Sequence, residues 1–221
     1  LTVISPKRSR SFQNHRLINQ KGYETMETNA EVIPIKRGAE LEGRTMARIH
    51  TPLLNCDNKS QDVIDLANKL NLPLLPWQIW VLKDLLSVDE HGKYIKKSGL
   101  CLVARQNGKT HLARMLILAH LFLWGSKNVL GMSSNRNMAL DTFRQVAWTI
   151  EDNQFLKDQV RQLRLANGQE SITLKNGARY EIAAATRDAP RGKTADFLYI
   201  DELREWSEEA FTAALPVTRA R

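Results

Sequence analysis

Two stretches of this chain have residue types and spacing suited to chemistry: Val103-Ala104-Arg105-Gln106-Asn107-Gly108-Lys109-Thr110 and Phe197-Leu198-Tyr199-Ile200-Asp201-Glu202. In the first, Gly108 permits close backbone approach, Lys109 carries a charge on a long stem and Thr110 supplies a hydroxyl. That set holds a phosphate chain and its Mg²⁺. In the second, four apolar residues end in two carboxylates. Asp201 is suited to hold Mg²⁺ and Glu202 to polarise a water for attack on a γ-phosphate. Neither stretch is decisive alone. The usual pattern G-x-x-x-x-G-K-[ST] wants glycine where Val103 stands, and an Asp-Glu pair after an apolar run is common. Their occurrence together, in this order, points to an ATP-hydrolysing site.

The elements around them must bring the two stretches to one place. Leu100-Cys101-Leu102-Val103-Ala104 is a five-residue apolar run of the length of a buried strand. Behind Thr110, from Leu112 to Trp124, only His111, Arg114 and His120 interrupt a helix that is apolar nearly all round, as a helix packed on a sheet is. A strand, a tight turn and a buried helix aim backbone N–H groups and the positive end of the helix dipole at one point. Phe197–Ile200 reads as a central strand, with Asp201 and Glu202 at its carboxyl end, the edge where open α/β sheets bind ligands. The plain alternative is an ordinary strand–turn–helix with a surface lysine and a solvated acidic pair.

The remaining pattern fits the same scheme. Gln61–Leu70 has apolar residues at helical spacing, Asn71-Leu72-Pro73 stops it, and Pro76 starts a second helix through Leu86. Trp77 and Trp80 read as packing residues. Asn128–Met132 is a second strand, and Asn135 is placed to cap a helix that presents Ala139, Leu140, Phe143, Val146, Ala147 and Ile150 on one face. Asn176-Gly177 between Ser171–Leu174 and Arg179–Ala185 signals a hairpin. Alternating strands and helices argue an α/β fold with a mainly parallel sheet covered on both faces.

Arg105-Gln106-Asn107-Gly108-Lys109-Thr110 resembles the deviant phosphate loop of the large terminase subunits of tailed bacteriophages, in which the first glycine is lost and an arginine precedes Gly-Lys-Thr. Leu74-Leu75-Pro76-Trp77-Gln78 is similar to that family's adenine-recognition segment. Met132 to Ala139 is similar to its strand, polar turn and helix, and Pro190-Arg191-Gly192 precedes the Asp-Glu. The likeness covers about residues 50 to 219. It implies a P-loop ATPase of the additional-strand, conserved-glutamate (ASCE) type that drives double-stranded DNA into a procapsid, with ATP and Mg²⁺ as cofactors. It further implies that Gln78 reads adenine, that the loop from Arg105 through Gln106 and Asn107 to Thr110 binds phosphates, that Thr110 and Asp201 serve the metal, and that Glu202 serves the water. Arg105 and Arg191 are its candidates for the arginine that stabilises the transition state, one in cis and one offered to a neighbouring subunit. The plain readings are a salt bridge for Arg105 and a solvated loop for Arg191. Implied partners are DNA, the portal protein, the small terminase subunit and sister subunits in a homo-oligomeric ring.

Composition sets the outer bounds. Hydrophobic residues make up 43% of the 221 residues and charged ones 25%, ordinary for a globular protein. Two cysteines, Cys56 and Cys101, make no disulfide framework or metal-spaced set. No apolar run reaches the length of a membrane span and no secretory segment opens the chain, which points to the host cytoplasm with no membrane partner. The net charge is +8, of which Lys7, Arg8, Arg10, Arg16 and Lys21 supply +5 before the first acid. Residues 1–48 therefore read as a basic, flexible arm and 49–221 as the ATPase domain. Against the family pattern the domain reads as truncated at its carboxyl end, without a nuclease domain, so nuclease activity is not expected of these residues. Two other functions suit parts of the pattern. One is a superfamily-2 helicase fragment, which would share Gln78, Lys109 and Asp201-Glu202; the other is a non-catalytic remnant that binds nucleic acid or portal through the arm.

Overall fold

The computed structural model describes residues 45–165, 168–185 and 193–218. The basic arm lies almost wholly outside that range, as do Arg191 and the Pro190-Arg191-Gly192 segment. Two helices come first, α1 (Ser60–Lys69) and α2 (Pro76–Leu85), joined by the Leu72-Pro73 break; Pro76 stands in the first turn of α2, where its missing N–H costs nothing. Then follow α3 (Lys109–Phe122), β1 (Asn128–Ser133), α4 (Arg136–Glu151), a one-turn α5 (Gln154–Lys157), β2 (Val160–Arg164), β3 (Ser171–Leu174), β4 (Arg179–Ala184), β5 (Phe197–Ile200) and α6 (Glu208–Ala214).

The five strands form one sheet in the order β2-β3-β4-β1-β5. β1 runs parallel to both β4 and β5, whereas β2–β3 and β3–β4 pair antiparallel. The sheet is thus mixed, not mainly parallel. The cause is local. Gly177 at φ +85° lets the chain reverse between β3 and β4, Asn176 accepts the Ala178 N–H through its side chain, and Leu174 and Ala178 close the turn.

Strand alternation sorts the core into two layers. Val129, Tyr180, Ile182, Phe197 and Tyr199 face α3 and α4, and Leu112, Met115, Ile117, Leu118, Phe143 and Val146 fill that side, with α1 packed on α3. Leu130, Met132, Ala183 and Leu198 face the other way, onto Ala214 of α6 and Val217 beyond it. α3 is the pivot of the first layer. Met115, Ile117, Leu118 and Ala119 are fully buried, and the helix packs on α1, α4, β1, β4 and β5. A helix with no solvent face needs the all-round apolar sequence that α3 has.

Leu100–Ala104 forms no strand. A strand exists only through pairing, and this segment has no strand partner among the described residues. Its side chains alternate, with Leu100 and Leu102 each 65% exposed and Cys101 and Val103 half-buried. The apolar run precedes the loop as extended chain rather than as a buried strand. Among the described residues, no helix is long and apolar enough to cross a membrane.

Candidate functional site

The loop between Ala104 and Lys109 is shaped by its own residues. Gln106 and Gly108 take positive φ, +61° and +85°. Asn107 ties the turn, its amide donating to the carbonyls of Ala104 (3.2 Å) and Arg105 (3.1 Å). α3 then starts on Gly108 with no side-chain cap. α1 and α2 likewise start without a side-chain cap, whereas α4 and α6 each have one. Asn135 caps α4 by accepting the Met138 N–H, and Ser207 caps α6 by accepting that of Ala210. An uncapped first turn on a helix of fourteen residues presents N–H groups and dipole to whatever anion lies in front of it.

β5 delivers the carboxylates to the same place. Asp201 continues the ladder past the strand end, donating its N–H to the Met132 carbonyl at 2.8 Å. Alternation from Phe197 and Tyr199 directs it to the α3 face, where Phe197 stacks on His120 of α3 with ring centroids 4.0 Å apart. Glu202 leaves the pleat: its φ is +50°, a left-handed conformation that costs a non-glycine residue about 1–2 kcal/mol. Asp201 supports that turn by accepting the Glu202 N–H at 2.9 Å, and Trp206 donates its indole N–H to the Asp201 carbonyl at 3.2 Å. Burial first, then the nearby charge of Asp201, hold the Tyr199 hydroxyl protonated far above its ordinary range.

The two motifs meet side chain to side chain. Lys109 Nζ lies 3.7 Å from Glu202 Oε1, across more than ninety residues of sequence, and the two side chains are only 12% and 14% exposed. Arg204 Nε lies 3.4 Å from the other oxygen, Oε2, and 2.9 Å from Glu205 Oε1. Arg204 is a neighbour that sequence reading missed. It follows the Asp-Glu by two residues on a 3₁₀ turn (Leu203–Glu205), and only the left-handed turn at Glu202 brings it back to the carboxylate.

The other expected residues fall as follows. Thr110 is half-buried in the first turn of α3, beside Lys109, while Arg105, Gln106 and Asn107 are exposed on the loop. Gln78 is fully buried behind the loop, and its amide is engaged at both ends within the protein. Arg191 lies outside the described residues. His111 anchors α3 from behind: Nδ1 accepts from Arg114 at 2.7 Å, so Nε2 carries the proton donated to the Pro73 carbonyl at 3.2 Å. Burial, then Arg114, lower its pKa. Burial pushes the Cys101 thiol up, against the thiolate form.

The site fits a nucleotide with Mg²⁺. Lys109 and the first turn of α3 supply positive charge, and Thr110 with Asp201 supplies oxygen donors of the kind Mg²⁺ takes. Among the described residues no group of three or more His, Cys, Asp or Glu forms a metal cage.

Residues 100–221, more than half of the chain, match the model of the family described as terminase large subunit, T4likevirus-type, N-terminal. No curated protein matches by sequence. The crystal structure of the HK97 bacteriophage large terminase is similar in fold, with a TM-score of 0.63 at 17% identity. The likeness covers 75% of this chain and 36% of that one, so the chain spans little more than a third of that protein's length. The matched residues include both the loop and the carboxylate pair: the chain belongs to the terminase large subunits, in their N-terminal portion.

Proposed function

We propose that these residues form the ATP-hydrolysing portion of a viral DNA-packaging motor, an ASCE-type P-loop ATPase. The observation that carries the reading is the approach of Lys109 to Glu202 at 3.7 Å. It joins a phosphate-binding cation to a carboxylate able to act on water. Lys109 takes the terminal phosphates, and the Thr110 hydroxyl and Asp201 would hold Mg²⁺, which would neutralise negative charge on the phosphates. Glu202 orients a water and accepts its proton as the oxygen attacks the γ-phosphorus; ADP leaves with the electron pair of the broken P–O bond.

Without nucleotide, Lys109 and Glu202 face each other. Entry of the γ-phosphate gives Lys109 a more highly charged partner, which frees Glu202 Oε1 for the water. Arg204, on Oε2, keeps the carboxylate from swinging away. Arg105 on the loop and Arg191 beyond it are candidates for the cation that answers charge in the transition state, a contribution of about 10³–10⁵ in rate where such an arginine acts. Double-stranded DNA, a portal, a small subunit and a ring of sister subunits in the host cytoplasm are the partners and setting this reading entails.

Binding tests it most directly. The 221-residue chain should bind ATP with Mg²⁺, and Lys109→Ala should abolish or severely weaken that binding. Any turnover should fall by about 10²–10³ through loss of a desolvated transition-state contact. Unchanged ATP affinity in Lys109→Ala would overturn the reading.

A further inference from the structure

Gln78 has no exposed surface, yet both ends of its carboxamide are in use beside the phosphate loop. Oε1 accepts the backbone N–H of Leu75 at 2.7 Å, at the start of α2. Nε2 donates to the carbonyl of Gly108 at 2.8 Å, thirty residues further on. The orientation is fixed by chemistry. Turning the amide over would set its NH₂ against an N–H and its oxygen against a carbonyl.

Gly108 is the residue through which this acts. It sits at φ +85°, and a Cβ there would fall 2.8 Å from Gln78 Nε2 and 3.7 Å from a Leu75 methyl. The same carbonyl accepts the Leu112 N–H at 3.1 Å, the first turn of α3. Gln78 therefore grips the peptide that ends the loop and begins the helix. Its remaining N–H and lone pair reach no solvent. A base reader needs a free donor and acceptor facing the ligand, and Gln78 offers neither.

We infer that Gln78 is a positioning residue for the phosphate loop, which holds the Gly108 carbonyl and so sets the loop's grip on any triphosphate, whatever its base. This rests on the reading of the loop as a phosphate site. Gln78→Met keeps the volume and removes both bonds. Its affinity for ATP, GTP and inorganic triphosphate should fall by one common factor of about 3 to 30, with the ATP-to-GTP ratio unchanged. Gln78→Glu keeps the acceptor for Leu75 but donates to Gly108 only when protonated. Its deficit relative to wild type at the same pH should therefore shrink as pH is lowered from 8 to 5.5, a recovery that lost packing would not show. In nucleotide-free protein, hydrogen exchange of the Gly108–Leu112 amides should rise in Gln78→Met while that of α4 stays the same.

A changed ATP-to-GTP ratio with unchanged triphosphate affinity would make Gln78 a base reader and overturn the inference. So would triphosphate binding and loop exchange both indifferent to Gln78→Met. Failure of the wild-type chain to bind any triphosphate would overturn the phosphate-site reading, and this inference with it.

Discussion

Asp201 keeps its N–H in the sheet ladder on Met132, while Glu202, one residue on, turns to φ +50° and points back at Lys109. Neighbouring strand residues face opposite sides of a sheet, so two adjacent carboxylates reach one site only if the second leaves the pleat. The strain at Glu202 is held by the Asp201 side chain on its N–H and by Trp206 on the Asp201 carbonyl. Different positions predict different defects. Glu202→Gln keeps shape and leaves Asp201, the proposed metal donor, in place, so on that proposal ATP and Mg²⁺ should bind nearly as in wild type, with turnover lowered by about 10²–10⁴. Asp201→Asn should instead weaken Mg²⁺-dependent nucleotide binding, since a neutral oxygen is a poorer ligand for a hard cation. Titration of Mg²⁺ against each variant, with steady-state hydrolysis in a protein that turns over, separates them. Hydrolysis by Glu202→Gln at close to the wild-type rate would remove Glu202 from its role.

β1 is the strand on which both parallel partners depend, and it carries a glycine at its centre. A Cβ on Gly131 would fall 2.9 Å from the Tyr180 hydroxyl and 3.2 Å from Cε2 of the same ring. Tyr180 has no exposed surface and its ring stacks on Phe143 of α4 at 5.6 Å, so it cannot swing aside. Gly131→Ala should destabilise the fold by about 1–3 kcal/mol in denaturant unfolding, the usual cost of overpacking. Tyr180→Phe in the same chain should recover part of that, because the shortest contact is to the hydroxyl; additive losses would show that the two do not meet. The same elements show how much was readable beforehand. α3, α4 with its Asn135 cap, the Asn176-Gly177 turn and the extent of β5 carry their signals within their own residues, and the structure has them; but β5, expected at the centre of the sheet, stands at its edge among the described strands, since a place in the sheet is set by partners elsewhere in the chain. β2, Val160-Arg161-Gln162-Leu163-Arg164, is an edge strand with exposed arginines and no apolar alternation, so nothing local announced it. Leu100–Ala104 failed in the opposite way: apolar enough for a strand, it has no described strand to pair with. In the candidate site, the meeting of Lys109 with Glu202 could be anticipated because each stands in a short motif. The hold of Arg204 on Glu202 and of Gln78 on Gly108 are contacts between a side chain and a particular turn, and no spacing rule encodes them.

Stability of the molecule as a whole is tied to His120, near the far end of the helix that begins at Lys109. His120 is 5% exposed, lies flat on Phe197 at the start of β5, meets Trp124 edge-on at 4.8 Å and pairs through Nδ1 with the Ser126 hydroxyl at 2.9 Å. It thereby joins the two elements whose opposite ends carry Lys109 and Asp201. Burial first, then the positive charge of Lys59, lower its pKa from 6.5 to about 4, with Asp196 pulling weakly the other way. The unfolded chain takes up a proton at this ring once pH drops below 6.5, and the folded chain refuses it until about 4. The contribution is therefore complete above pH 6.5 and is lost progressively down to about pH 4, roughly 3 kcal/mol over that window. His120→Phe keeps an aromatic ring against Phe197 and cannot titrate. Comparison of unfolding free energies at pH 7 and pH 4 should show the variant losing about 3 kcal/mol less than wild type, the carboxylates contributing equally to both. Because α3 and β5 are coupled through this ring, nucleotide binding should fall in parallel with the unfolding midpoint as wild type is acidified, and later in the variant. An identical acid dependence in the two proteins would show that His120 is not held neutral by the fold.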